Sequence, residues 1–187
     1  MAVAKALAAT ASWEFHIIDI DKAAAKTAAV ELAAPKRFYI GDVTSYDSTA
    51  LTFEDIFNRS GRLDLVFCGA GVLEQNDFYN DHPPAEGPPP APDQRTIDVN
   101  YKGTVNVSYL AQHYFRRNPP EVVDTNLVLM ASCTGLYPVP GFPLYVSSKR
   151  EFPMSSGALS GRLLADSYQT LALGGLRKQK LLLKVLT

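Results

Sequence analysis

Several functional classes are excluded by what the sequence has little of. Only two cysteines occur, Cys68 and Cys133. They are too few for a disulfide framework and lack metal-ligand spacing, so no metal site is expected. No apolar run is long enough to span a bilayer, so no stable membrane insertion is expected. The alanine-rich start lacks the apolar h-region and cleavage pattern of a secretory signal, which points to the cytoplasm. Charge of one sign is lacking too. Eighteen basic residues face 19 acidic ones, for a net charge of −1, and nothing favours a nucleic acid partner. The three histidines, His16, His82 and His113, form no site.

What is present is the composition of an ordinary globular domain. The chain has 187 residues, 47% of them hydrophobic, enough for a core. Apolar residues at helical spacing mark 2–9, and FHIIDID (15–21) reads as a buried strand. KAAAKTAAVELAA (22–34) is strongly helix-forming and stops at Pro35. RFYIGDV (37–43) reads as a second strand, 47–60 as a helix capped by Gly61, and LDLVFC (63–68) as a third strand running into Gly69, Ala70 and Gly71. Six prolines between 83 and 92 make 79–95 a stiff Pro-rich loop, either a surface insertion or a substrate-side flap. Helix resumes over 96–117, NLVLMAS (126–132) is a fourth strand, and another helix starts near Leu144. Strands alternating with helices predict an α/β fold with a parallel sheet.

After Lys149 the pattern stops. SSGALSG is flexible, and RKQKLLLKVLT is basic and leucine-rich with no clear strand. The expected organisation is therefore a domain over 1–150 followed by a poorly packed tail over 151–187, with a membrane-surface helix as the alternative for the tail.

Tyr145 and Lys149 are four apart, one turn apart on one face of a helix. An ammonium near a phenol stabilises the phenolate and moves it toward a general base at neutral pH. Ser132 closes the fourth strand, thirteen residues before Tyr145, at the sheet edge where ligands bind. About 0.4 Tyr-x-x-x-Lys pairs arise by chance in this composition, so the pair alone is weak; the serine at its fixed offset lowers that to about 0.03. An ordinary helix-surface pair with a capping serine is the competing explanation.

These residues sit in IDVNYKGTVNV around Asn100, NLVLMASCTGLYPVP around Ser132 and LYVSSK around Tyr145 and Lys149. Together with HIIDID, GDVT and LDLVFCGAGVLE upstream, the constellation resembles the classical short-chain dehydrogenase/reductases. The nearest branch by these motifs is the hydroxyprostaglandin dehydrogenase-like enzymes, which oxidise secondary alcohols with NAD. The resemblance covers 1 to about 150 and implies a doubly wound, Rossmann-like sheet. It implies Tyr145 as base, Lys149 as its electrostatic partner and nicotinamide-ribose ligand, Ser132 orienting the substrate oxygen, and Asn100 holding a relay water. It implies Asp19 on the adenosine ribose, which favours NAD over NADP because a carboxylate repels a 2′-phosphate. Asp42 and Val43 would border the adenine, and Gly69, Ala70 and Gly71 would let the backbone approach the cofactor. Asp19 as a helix N-terminal acid and Asn100 as a surface helix residue stay open as alternatives. A homodimer or tetramer through the helices containing Asn100 and Tyr145 is also implied, with a small-molecule alcohol or ketone as substrate.

Three departures accompany the resemblance. The family's first strand and Gly-rich phosphate loop would precede Met1. Position 69 is glycine where the family has asparagine. Nothing after Arg150 matches the family's later strands. The expectation is thus an incomplete, truncated Rossmann-like sheet, with a reading-frame or splicing change near 150–153. Two functions follow: an NAD(P)-dependent oxidoreductase interconverting a secondary alcohol and a ketone (an epimerase or dehydratase within the same class), or a catalytically silent fragment or pseudoenzyme acting through protein association.

Overall fold

In a computed structural model of the chain, the described residues are 2–24, 27, 32, 35–74, 78–81, 87–122, 124–137 and 139–150, with the backbone of 167–172 and 179–186. Helix α1 (Ala2–Ala8) leads into strand β1 (Trp13–Asp19). The strand ends two residues earlier than the apolar run suggests, because two aspartates turn the chain. Asp19 Oδ1 accepts the Asp21 N–H at 2.9 Å, and Asp21 Oδ1 accepts those of Ala23 and Ala24 at 2.9 and 3.2 Å. Residues 22–24 and 27 are helical, and the rest of the expected 22–34 helix, apart from Leu32, lies outside the described residues. Strand β2 (Lys36–Ile40) and helix α2 (Tyr46–Ser60) follow. Ser45 caps α2 by accepting from Ser48 N–H, and Gly61 ends it at φ 70°, its N–H bonded to Phe57 O.

Strand β3 (Leu65–Gly71) runs through the glycine turn. Of the Pro-rich loop, residues 87–94 carry neither helix nor strand and 82–86 lie outside the described residues. The helix expected over 96–117 is not uniform. It starts at Arg95–Ile97, widens to π geometry over Asp98–Lys102, and continues as α3 (Gly103–Phe115). The extra residue in the turn lets Asn100 face the loop after β3, while Gly103 packs under Val43. A Cβ on Gly103 would lie 2.6 Å from Val43 Cγ2. Single π turns of this kind concentrate at functional sites. Strand β4 (Asn126–Ala131) and helix α4 (143–150) complete the expected set.

The segment read as a strandless tail supplies two more strands, β5 (Ser167–Ala172) and β6 (Gln179–Leu186). The sheet order is β2-β1-β6-β3-β4-β5. Five strands run parallel, and β6 alone is antiparallel, to both β1 and β3. Composition hides β6: Lys184 stands in register between Phe15 and Leu65, where a central strand is normally apolar. Long-range pairing, not local propensity, decides a strand there.

Alternation along the central strands splits the core into two layers. Ile18, Val66, Cys68, Leu127 and Leu129 face Phe53, Ile56, Val107 and Leu110 of α2 and α3. Phe15, Ile17, Phe67, Val128 and Met130 pack with Ala4 of α1. The chain winds outward in both directions from the gap between β1 and β3, which makes that gap the topological switch point. Ligands of such sheets bind outside the strand carboxyl ends at this place.

Candidate functional site

The residues singled out by the sequence gather at the carboxyl edge of β3 and β4. Tyr145 and Lys149 lie one turn apart on α4 and are 9% and 4% exposed. The Lys149 ammonium sits 5.9 Å from the Tyr145 ring centre and donates to the Met130 carbonyl at 3.0 Å. Burial pulls Lys149 down from 10.5 to about 8, opposed by the neighbouring Cys68. Cys68 is itself raised by burial, with the Thr104 hydroxyl 3.6 Å away.

Gly71 marks the meeting point of these elements. A Cβ there would stand 3.2 Å from Asn100 Oδ1 and 3.5 Å from Lys149 Nζ. Asn100 is fully buried, not a surface helix residue. Its Oδ1 accepts the Val72 N–H at 2.8 Å, and its Nδ2 donates to Val72 O at 2.9 Å and to Ser148 Oγ at 3.1 Å. An amide oxygen accepts two hydrogen bonds, so Oδ1 has an acceptor position beyond the one that Val72 fills.

Ser132 follows β4 and is buried. Its Oγ accepts the Thr134 N–H at 3.3 Å, capping the short 3-10 turn Cys133–Gly135. Gly135 presses that turn onto α4: a Cβ would lie 2.7 Å from the Lys149 carbonyl. Beyond it, Leu136, Tyr137 and Val139 are exposed.

On the other side of the switch point, Asp19 ends β1 with one oxygen on the Asp21 N–H, so Asp21 and not Asp19 caps the following helix. Gly41 N–H bonds to Asp19 O at 3.2 Å, which brings the ends of β1 and β2 together. Asp42 Oδ1 accepts from the N–H and hydroxyl of Thr44 at 2.9 and 2.8 Å. Val43 turns its side chain into the core, and its carbonyl accepts from Asn106 Nδ2 at 3.0 Å. Gly69 is buried while Ala70 and Gly71 are half-exposed. The structure thus brings together Tyr145, Lys149, Asn100 and Gly71, with the Ser132 turn packed against the Lys149 backbone.

Sequence reasoning missed Glu74, Ser148 and Gly135. Ser148 links Asn100 to α4, donating to Tyr145 O at 2.8 Å. Glu74 Oε2 accepts the Tyr145 N–H at 3.0 Å across 71 positions of sequence. Both lie inside motifs read for other residues, and only tertiary proximity distinguishes them. His16 is buried between Tyr39 and Ser60, away from this site. No described helix is long and apolar enough to cross a membrane.

A nicotinamide dinucleotide fits this edge unevenly. At one end, the glycine at 71 leaves space in front of Lys149 and Asn100 that a Cβ would fill. At the pyrophosphate position β6 occupies the switch point and runs the wrong way to deliver a strand–turn–helix.

Comparisons with known proteins agree with the fold. The sequence profile of the short chain dehydrogenase family matches residues 1–160. The short-chain dehydrogenase/reductase prx7 of Penicillium rubens is 44% identical over 154 residues, covering 80% of this chain and 54% of that protein. The chain therefore spans about half the length of that relative. Among solved structures, a short-chain dehydrogenase from Streptomyces avermitilis superposes with a TM-score of 0.73 at 18% identity, covering 95% of this chain and 62% of that one. NAD+-bound xylitol dehydrogenase superposes with a TM-score of 0.69 at 19% identity, covering 84% and 58%.

Proposed function

The chain belongs to the short-chain dehydrogenase family, and on that premise we propose that it interconverts a secondary alcohol and a ketone with a nicotinamide cofactor. The observation that carries this reading is the convergence of Lys149 and Asn100 at Gly71, with the Tyr145 ring beside the Lys149 ammonium. When bound, the cofactor supplies the hydride acceptor. In the oxidative direction Tyr145 would take the hydroxyl proton of the alcohol and the cofactor would accept the hydride of the carbinol carbon, so that alcohol and oxidised cofactor would give ketone, reduced cofactor and a proton. The Lys149 ammonium stands as the electrostatic partner of Tyr145 and binds the nicotinamide ribose. The Ser132 hydroxyl donates to the substrate oxygen once its Oγ is presented to the site. Asn100 holds a water on the second acceptor position of Oδ1. Asp19 receives the adenosine ribose hydroxyls, with Asp42 and Val43 beside the adenine and Gly69, Ala70 and Gly71 beneath the cofactor backbone. This arrangement favours NAD, since Asp19 repels a 2′-phosphate.

Exposed Leu136, Tyr137 and Val139 on the loop after Ser132 favour an apolar alcohol. Exposed Val105 and Tyr109 on α3 favour self-association into a dimer or tetramer. Free Cys68 and Cys133 suit a reducing cytoplasm. A second reading, a catalytically silent chain that acts through association, is favoured by one observation: β6 stands where a phosphate-binding strand–turn–helix would be.

Titration of the purified chain with NADH and NADPH, read by nicotinamide fluorescence and thermal shift, separates the two. The enzyme reading expects binding of both, tighter for NADH, with the preference narrowed in Asp19→Ala. No response to either cofactor at about millimolar concentration, where even weak binding of roughly 4 kcal/mol registers, overturns it in favour of the silent chain.

A further inference from the structure

Both backbone groups of Tyr145 are tied to the short loop that follows β3. Its N–H is accepted by Glu74 Oε2 at 3.0 Å. Its carbonyl is met by the Ser148 hydroxyl at 2.8 Å, which in turn receives Asn100 Nδ2 at 3.1 Å. Asn100 grips the N–H and carbonyl of Val72, two residues before Glu74. One loop therefore reaches the same peptide by two routes, one direct and one through Asn100 and Ser148.

The direct route stands out chemically. The opening N–H groups of a helix have no acceptor within it. The first bond of α4 runs from Val146 N–H to Phe142 O, so Tyr145 N–H is the orphan immediately before it. Any oxygen acceptor would serve, yet the residue here is a carboxylate whose second oxygen, Oε1, is buried without a partner. A buried acceptor left unmet works against stability. A carboxylate at the positive end of a helix, however, makes a stronger, charge-assisted bond than a neutral acceptor.

We propose that Glu74 is a positioning residue: its carboxylate clamps the first turn of α4 to the loop after β3 and so fixes where the Tyr145 phenol stands relative to Gly71 and Asn100. The functional part of this rests on the reading of Tyr145 as the base. The clamp itself rests only on the contacts above.

Three variants test it. Glu74→Gln keeps a carbonyl oxygen at the same reach. Glu74→Asp keeps the charge but withdraws it by about 1.5 Å, one carbon–carbon bond. Glu74→Ala removes both. Amide hydrogen exchange at Tyr145 is expected to accelerate about tenfold or more in the Asp and Ala variants, with Val66 and Val107 unchanged, and to accelerate less in the Gln variant, which keeps an acceptor at the same reach without the charge. With oxidised cofactor and a panel of secondary alcohols, kcat is expected to fall about tenfold or more in Asp and Ala at unchanged cofactor KM, and to recover in part in Gln. Should the Ala variant not fold, the Asp–Gln contrast decides. Equal exchange at Tyr145 in wild type and the Asp variant overturns the clamp, as does a loss confined to KM. If wild type itself turns over no alcohol, the proposed chemistry fails while the exchange comparison still decides the clamp.

Discussion

Replacing Lys149 by methionine is expected to remove the chemistry while leaving the protein at least as stable as wild type. Lys149 is 4% exposed and is held at about 8 by burial, against 10.5 in water. At about 1.4 kcal/mol per pH unit, keeping that ammonium charged in the fold at neutral pH costs roughly 3 kcal/mol. Methionine has a similar length and no charge, so the cost disappears. Against it stands the hydrogen bond to Met130 O, a charge-assisted contact worth about 1.5–3 kcal/mol. The net change is a gain of roughly 0–2 kcal/mol at neutral pH. The pH dependence is the sharper signature. Between about 8 and 10.5 the folded lysine has lost its proton and the unfolded one keeps it. The unfolded state then binds more protons, so wild-type stability rises with pH through that window. The rise is already about 1 kcal/mol between roughly pH 7 and pH 9, and the methionine variant lacks it. Urea unfolding of both proteins at the two pH values measures this. Parallel slopes, or a variant less stable by about 2 kcal/mol or more, the ordinary result of a damaged core, would refute the reasoning.

Other expectations follow from particular contacts. His16 is buried among Glu14, Arg37, Tyr39, Asp55, Arg59 and Ser60, and burial lowers its pKa below 6.5; its contribution to stability is full above 6.5 and is lost as pH falls from there toward the folded value. His16→Gln is expected to flatten that acid limb in thermal melts, and an unchanged limb assigns it to other groups. Gly103→Ala places a Cβ 2.6 Å from Val43 Cγ2 and is expected to cost about 1–3 kcal/mol by overpacking, despite the better helix propensity of alanine; a higher melting temperature would contradict the packing.

Local patterns made much of this molecule legible. Gly61 delimits the end of α2 in sequence and in space because capping is local chemistry. The β-strands buried on both faces announce themselves as apolar runs, as in Leu65–Gly71 and Asn126–Ala131. The pair Tyr145 and Lys149 was legible because one helical turn separates them. What stayed hidden depends on distant partners. Strand β6 carries two lysines and becomes a strand through β1 and β3. The π turn at Asp98–Lys102 follows from Asn100 reaching Val72 and from Gly103 under Val43, neither of which a helical pattern reveals. Glu74 and Gly135 act on α4 across long sequence separations, so their residue types alone carry no signal.

The central claim is that the Tyr145 phenol exchanges the substrate proton. The most direct measurement is cofactor reduction by the purified chain over a panel of apolar secondary alcohols, comparing wild type with Tyr145→Phe. The account predicts turnover in wild type and a loss of about 10²–10⁴-fold in the variant, the range ascribed to a positioned acid–base group, with NADH binding retained. Comparable turnover in Tyr145→Phe would contradict it.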